Sequence, residues 1–132
     1  MEKVTPSPFL MFQGDASDAL GFYLGVFPDA QALNVERYNA GEAGIEGSIK
    51  RARFSIGGPE VICADSVVKH AFAFTPAFSF FIDCRSPEQV DQLASVLKEG
   101  GAELMPIGNY GFSKLFAWVT DRFGISWQLN YS

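Results

Sequence analysis

The spacing of apolar residues predicts a strand followed by a helix near the start of the chain. Residues 9–13 form a short apolar run that ends at Gly14, which is typical of a strand. Asp15 or Ser17 can then cap a helix, and Pro28 ends it. The helix itself is indicated by apolar residues that recur at helical spacing, namely Leu20, Tyr23, Leu24 and Phe27.

The same order of elements recurs in the second half of the chain. Residues 78–82 form an apolar run that predicts a strand, and Ser86-Pro87-Glu88-Gln89 is a capping box with proline at the first helical position. Gly100 and Gly101 end the predicted helix. Its apolar face is Val90, Leu93, Ala94 and Leu97, each 70 positions after its counterpart in the first helix. Such a repeat indicates two copies of one structural unit.

Three strand-like segments follow each predicted helix: 32–38, 49–56 and 60–64 in the first half, and 102–105, 114–120 and 125–130 in the second. Residues 57–59 and 121–124 are typical of tight hairpin turns. The glycine-bearing segments 39–47 and 106–113 are typical of loops that line a pocket mouth. The pattern predicts an α+β fold of two β-α-β-β-β modules in one domain, 1–132. Module one spans about 7–66, a linker 67–76 and module two 77–132.

Composition narrows the classes of protein that this chain can belong to. With 132 residues, 48% of them hydrophobic, the chain is expected to fold around a core. The formal net charge of −5 disfavours nucleic acid as a partner. No segment is typical of a signal peptide, and the apolar segment 71–82 is too short to cross a membrane. Two cysteines, Cys63 and Cys84, predict free thiols and a cytoplasmic location.

Two motifs resemble the vicinal oxygen chelate superfamily, which includes glyoxalases and bleomycin resistance proteins. They are Gly21-Phe22-Tyr23-Leu24-Gly25-Val26-Phe27 and Asp121-Arg122-Phe123-Gly124-Ile125-Ser126-Trp127-Gln128-Leu129. The resemblance covers nearly the whole chain and is strongest to the PhnB-like branch, which is often labelled demethylubiquinone methyltransferase-like. It implies that the strands of both modules curl into a half-barrel cup with the helices outside and a ligand inside. The superfamily includes both enzymes and binding proteins, so function depends on the residues of the site.

Metal-dependent members of the superfamily hold their metal at four positions, on the first and last strand of each module. The resemblance places these positions at Pro8, Cys63, Ala77 and Gln128 in this chain. Proline and alanine have no metal-binding side chain, glutamine is a weak ligand, and cysteine is a soft one. No glycine-rich motif opens a helix after a strand, so we also do not expect the methyltransferase activity named in the label.

The same alignment places several candidate ligand-binding residues in the cup. Cys63 and Gln128 are expected to face each other there. Arg51 and Arg53 lie on the polar face of an alternating strand, and the shift that aligns Cys63 with Gln128 places Phe116 and Trp118 at the equivalent positions of module two. Arginine with aromatic residues predicts an anionic or aromatic ligand. The alternative is a solvated strand face whose arginines form salt bridges.

Two more residues have both a functional and a structural interpretation. His70 is the only histidine, and it could contact a ligand as a general base or lie in a solvent-facing loop. Tyr110 belongs to the glycine-rich segment 108–112, which could close over a pocket or form an ordinary turn anchored by aromatic side chains. No histidine pair with metal-ligand spacing accompanies His70.

Three hypotheses of function follow, and the sequence leaves open whether the protein is an enzyme. The first is a metal-independent, cofactor-free small-molecule-binding protein whose cavity is lined by Phe, Trp, Cys63 and Gln128. The second is a glyoxalase-type lyase or isomerase with a metal held by Cys63, Gln128 and water. The third is a structural or interaction protein with a filled core. We also predict a homodimer, because small β-rich modules leave apolar surface to cover.

Overall fold

A computed structural model describes all 132 residues, which form two compact units, Met1–His70 and Ala71–Ser132. Each unit contains four strands and one helix in the order β-α-β-β-β. The predicted α+β fold class and the internal repeat are therefore confirmed. That the two modules form one domain with a linker at 67–76 stays a prediction.

The elements of both units lie close to their predicted bounds. The first unit contains β1 (Phe9–Phe12), α1 (Ala16–Val26), β2 (Gln31–Arg37), β3 (Ile49–Ser55) and β4 (Glu60–Asp65). The second unit contains β5 (Ser79–Asp83), α2 (Pro87–Leu97), β6 (Ala102–Gly108), β7 (Leu115–Thr120) and β8 (Ser126–Tyr131). Each helix has 11 residues, and neither is long and apolar enough to cross a membrane.

Each unit has its own four-stranded mixed sheet. The strand order is β1-β4-β3-β2 in the first and β5-β8-β7-β6 in the second. In both sheets the first strand runs parallel to the last, and the other neighbours are antiparallel. The helix between the first two strands carries the chain across the sheet, so that the first strand can pair with the last strand of the same module.

The helix of each unit covers one face of its sheet. In the first unit, Tyr23 of α1 is buried and stacks on Phe54 of β3 with ring centroids 6.4 Å apart. In the second unit, α2 contacts β7 and β8, whose residues Val119 and Leu129 are fully buried. Burial of one such aliphatic side chain stabilises the fold by about 1.5–3 kcal/mol. We call this side of each sheet the helix-covered face and the other side the open face.

The two helices begin differently. At the start of α2 the hydroxyl of Ser86 accepts a hydrogen bond from the Gln89 amide at 3.2 Å, as the capping box predicts. At α1, Asp15 occupies the N-cap position, but its side chain makes no capping hydrogen bond. Asp65 of β4 caps this helix instead and accepts hydrogen bonds from the amides of Gly14 and Ala16 at 2.9 and 3.0 Å. The predicted N-cap residue Asp15 is therefore confirmed in its position, but its side chain does not cap the helix, and the carboxylate of Asp65 binds the amides of Gly14 and Ala16.

The hairpins before the last strand of each module differ in length by one residue. Ser55 pairs with Glu60, which leaves four residues in the first hairpin loop, and Thr120 pairs with Ser126, which leaves five in the second. The offset between equivalent positions is therefore 65 for β3 and β7 but 66 for β4 and β8. Because side chains alternate between faces along a strand, this one-residue difference changes which residues of β4 and β8 are equivalent.

Candidate functional site

The open face of the second unit carries a row of side chains centred on Gln128. Gln128 of β8 pairs with Phe81 of β5 on one side and with Trp118 of β7 on the other. Met105 of β6 continues the row beyond Trp118. Paired residues on neighbouring strands point to the same face, so the amide of Gln128 lies between two aromatic side chains.

The amide of Gln128 has no hydrogen-bond partner in the chain, although the residue is only partly exposed. Its neighbour Trp118 is fixed, because the indole Nε1 donates a hydrogen bond to the Ser126 hydroxyl at 2.8 Å. That hydroxyl lies 2.7 Å from the hydroxyl of Ser79. The row therefore combines an oriented indole ring with an amide whose donors and acceptor are available to a ligand.

A cluster of aromatic rings borders this row on the open face. The ring of Phe116 lies 6.5 Å from that of Phe81, 6.2 Å from that of Tyr110 and 4.8 Å from that of Phe112. The hydroxyl of Tyr110 donates a hydrogen bond to the carbonyl of Pro106, which fixes the ring. Phe81 and Phe112 are more than half exposed and Phe116 is buried beneath them. The cluster presents an apolar aromatic surface next to Gln128.

The open face of the first unit is polar. A groove of about 480 Å³ is lined by Asn34, Glu36, Tyr38, Lys50, Arg51 and Arg53. Arg53 forms an ion pair with Glu60 at 3.6 Å. Lys50 forms one with Glu42 at 2.7 Å, a hydrogen bond that raises the pKa of Lys50 and lowers the pKa of Glu42. Arg51 forms no ion pair with any residue of the chain.

Cys63 does not lie on the open face of the first unit. It pairs with Ala52, lies one residue from the open-face position Ile62, and is 1% exposed on the helix-covered face of the first unit. Burial raises the pKa of its thiol from 9.0 to about 12. The predicted equivalence of Cys63 and Gln128 is corrected by the hairpin lengths, because Ile62 is the equivalent of Gln128. The role of Cys63 as a cavity-lining residue stays a prediction. The predicted equivalence of Arg53 and Trp118 agrees with the offset of 65 between β3 and β7.

His70 is not among the residues that line the groove. Its Nε2 is 3.1 Å from the hydroxyl of Ser66, and its backbone amide donates a hydrogen bond to the side chain of Gln13 at 3.0 Å. The Ser66 hydroxyl also donates to the carbonyl of Val68 at 2.6 Å and accepts from the amide of Val68 at 3.1 Å. These contacts hold the end of the first unit together, and the role of His70 as a ligand contact stays a prediction.

The positions at which the superfamily holds its metal do not fit a divalent ion in this chain. The open-face residues on the first and last strands are the pairs Phe9 with Ile62 and Phe81 with Gln128, and not Pro8, Cys63 and Ala77, which the resemblance assigned together with Gln128. Only Gln128 has a donor atom, and a neutral amide is a weak ligand for divalent first-row metals. No group of three or more His, Cys, Asp or Glu residues anywhere in the chain converges on a possible metal site.

Several residues on the open faces were not predicted from the sequence. Asn34, Glu36 and Tyr38 alternate along and just beyond β2, opposite Arg51 and Arg53. Their alternation was visible in the sequence and could have predicted a polar open face. The place of Phe81 beside Gln128 could not have been predicted, because it depends on the register of two strands that lie far apart in sequence.

The fold and the sequence identify the class of protein and then the family. The structure is similar to the glyoxylase/bleomycin resistance protein/dioxygenase domain from Frankia sp. EAN1pec, with a TM-score of 0.68 at 16% identity over 100% of this chain and 93% of that one. This likeness shows that the chain has the fold of the glyoxylase/bleomycin resistance class. Residues 2–130 match the family described as 3-demethylubiquinone-9 3-methyltransferase, and the chain belongs to this PhnB-like family.

Two relatives are similar over nearly their whole length. The PhnB protein from Bacillus cereus is 40% identical, has a TM-score of 0.93, and is covered over 100% of its chain and 98% of this one. Protein YjdN from Escherichia coli (strain K12) is 26% identical over 94% of this chain and 92% of its own. The predicted relation to the PhnB-like branch is confirmed.

Proposed function

We propose that this protein binds a small molecule on the open face of the second unit. The observation that supports the proposal is the amide of Gln128, which has no partner in the chain and lies between Phe81 and Trp118. A polar group that is partly withdrawn from water gains from a ligand that completes its hydrogen bonds. Largely apolar or aromatic surfaces with a few polar groups are typical of the lining of small-molecule sites.

The chemistry of this face favours a ligand with a flat apolar body and a carbonyl or carboxamide group. The ring of such a ligand would stack on the aromatic residues around Phe116, and stacked aromatic pairs contribute about 0.5–1.5 kcal/mol beyond the area they bury. Its carbonyl oxygen would accept a hydrogen bond from the amide of Gln128, at about 1 kcal/mol. Tyr110 and Phe112 would form the outer rim of the site.

Benzamide tests this proposal, because it combines a ring with a carboxamide. We expect it to shift the NMR signals of the Gln128 side-chain amide and the Trp118 indole, with millimolar affinity. Toluene lacks the amide and acetamide lacks the ring, so each should bind at least about tenfold more weakly. Gln128→Leu should remove the preference for benzamide over toluene, whereas Gln92→Leu on the exposed side of α2 should keep it. Equal binding of toluene and benzamide would contradict the role of Gln128.

The proposed binding does not involve a bound metal. The alternative, a metal-dependent lyase or isomerase of the glyoxalase type, would need ligands that Phe9, Ile62 and Phe81 cannot supply. Elemental analysis of freshly purified protein should therefore give far less than one equivalent of Zn, Ni, Mn or Fe per chain. A stoichiometric metal lost on Gln128→Leu would support the alternative.

Methyl transfer is not part of the proposed function, although the family description names it. Nucleotide-type cofactors in methyltransferases and dehydrogenases usually bind doubly wound parallel sheets with helices on both faces. Here each sheet has one helix and a mixed strand order. We further propose that the protein is cytoplasmic and forms a homodimer, which would cover exposed apolar side chains such as Phe9 and Leu33.

A further inference from the structure

The groove of the first unit contains charges of both signs that form no ion pair. Lys50 and Arg53 are engaged with Glu42 and Glu60. Of the remaining charged residues that line the groove, Arg51 is a cation without a carboxylate partner and Glu36 is an anion without a cationic partner within 4.0 Å. The groove therefore offers one guanidinium and one carboxylate for contact with a ligand.

These two groups lie next to each other on the same face. Glu36 of β2 and Arg51 of β3 are paired directly across the two strands, and both side chains line the groove. Directly opposed residues point to the same face with Cβ atoms about 4.5–5.5 Å apart. A ligand that carries a carboxylate and an ammonium on neighbouring atoms could therefore contact both side chains at once.

Neutral polar groups surround this pair. Asn34 lies on the same face one alternation along β2, and its side chain makes no hydrogen bond within the chain. Tyr38 lines the groove just beyond the end of β2, and its ring lies against Gly44, where any side chain would overlap it. The ring is thus held beside Lys50, whose Nζ is 5.9 Å from its centroid. The amide of Asn34 and the hydroxyl of Tyr38 could complete the hydrogen bonds of a polar ligand.

We propose that the groove of the first unit binds a small zwitterion of the α-amino acid class, with its carboxylate on Arg51 and its ammonium on Glu36. Bidentate contact between a guanidinium and a carboxylate gives such a site orientation as well as affinity. The groove, at about 480 Å³, falls within the range of about 300–1,000 Å³ that small-ligand pockets occupy. Exposed charges of opposite sign attract each other only weakly in water, so a ligand could readily come between Glu36 and Arg51.

Three matched probes test the two halves of this site in the full-length protein. L-Leucine carries both charges, 4-methylpentanoate lacks the ammonium, and 3-methylbutylamine lacks the carboxylate. In NMR titrations we expect L-leucine to shift the backbone amide signals of β2 and β3 with millimolar affinity. Each analogue should bind at least about tenfold more weakly, because each loses one charge-assisted contact.

Single substitutions assign each charge to its partner. Arg51→Gln should weaken the binding of L-leucine and 4-methylpentanoate about tenfold and leave that of 3-methylbutylamine unchanged. Glu36→Gln should weaken the binding of L-leucine and 3-methylbutylamine about tenfold and leave that of 4-methylpentanoate unchanged. Arg85→Gln and Glu46→Gln change the net charge equally at exposed positions outside the groove and should leave L-leucine binding unchanged.

Three results would overturn the proposal. Equal binding of 4-methylpentanoate and L-leucine would make the groove a simple anion site. An equal loss of affinity for all three probes in Arg51→Gln would show that the effect of the substitution does not depend on the charge of the probe. Absence of any shift in β2 and β3 would mean that the groove binds none of these compounds. The benzamide test monitors the second unit, so either proposal can fail without the other.

Discussion

Asp121 is a buried aspartate that stabilises the hairpin turn between β7 and β8 through hydrogen bonds. It accepts bonds from the amides of Phe123 and Ile125 and from the indole of Trp127, at 2.9, 3.1 and 2.9 Å. We expect Asp121→Asn to place an NH₂ group against one of these donors and to lower the free energy of unfolding by about 2–3 kcal/mol. Urea denaturation measures this change. Asp91→Asn on the exposed side of α2 is the control, and equal stability of the two variants would contradict this role.

The thiol of Cys63 should be chemically inert in the folded protein. With its pKa raised to about 12, its thiolate fraction at pH 8 is roughly 10⁻⁴, against about 0.1 for a thiol with the ordinary pKa of 9.0. In a Cys84→Ala variant, alkylation of Cys63 should therefore be at least about a hundredfold slower in the folded than in the unfolded chain. Mass spectrometry of samples taken over time measures both rates, and similar rates would refute the prediction.

The same pKa predicts how stability depends on pH. The folded state keeps the proton of Cys63 up to about pH 12, whereas the unfolded chain loses it near pH 9.0. The contribution of this group is therefore complete below pH 9.0 and is lost as the pH rises towards 12. Comparison of denaturation midpoints between Cys63→Ala and the unaltered chain over this range isolates the effect from other groups that titrate there.

At the residue scale, the sequence predicted the site only in part. It placed Arg51, Arg53, Phe116 and Trp118 on their alternating positions, because periodicity along β3 and β7 is a local property. It assigned Cys63 instead of Ile62 as the equivalent of Gln128, because the length of each hairpin loop depends on which residues pair. Unpaired groups such as the amide of Gln128 and the guanidinium of Arg51 become visible only when every other side chain has been placed.

At the scale of elements, we expect substitutions at the N-cap positions of the two helices to change stability by different amounts. Ser86→Ala removes the hydrogen bond to the Gln89 amide and should lower the free energy of unfolding by about 1 kcal/mol. Asp15→Ala is the matched control, since Asp15 occupies the same position of α1 but makes no capping hydrogen bond. Its cost should be below about 0.5 kcal/mol. Chemical denaturation compares the two variants, and a larger effect of Asp15→Ala would contradict the assignment of Asp65 as the cap.

The bounds of the helices and strands were predicted well where the sequence pattern was local, and less well for β6 at the edge of its sheet. The predicted strand at 102–105 extends to Gly108, because Pro106 does not end β6. β6 is an edge strand with a single neighbour, so a residue without an amide hydrogen can be accommodated there. Sequence alone does not distinguish an edge strand from a central one, so the true end of β6 does not follow from the pattern.

At the scale of the whole molecule, the exposed apolar side chains support the proposed homodimer. Phe9, Leu33 and Phe72 are each about half exposed or more, and a second copy of the chain could cover such side chains. We expect light scattering to give a mass of twice the 14.4 kDa of one chain. Dilution should return it towards the mass of the monomer. The mass of a single chain at high protein concentration would contradict the dimer.

At this scale, the sequence predicted the properties that follow from composition and from the internal repeat. The repeat predicted the fold class, because each module shows the same succession of apolar patterns. Ligand identity does not follow from such patterns, since it depends on a few polar groups left without partners. In this protein those groups differ between the modules: a neutral amide among aromatic rings in one, and opposed charges in the other.

The extra residue in the hairpin before β8 has a consequence for exchanging parts between the modules. A chimera in which the sequence of β8 replaces β4 at the offset of 65 would put Gln128 in the position of Cys63, inside the core of the first unit. A graft that carries the five-residue turn with the strand would place the same glutamine beside Phe9 on the open face. The turn and the strand it precedes are therefore the smallest segment that can be exchanged with its chemistry intact.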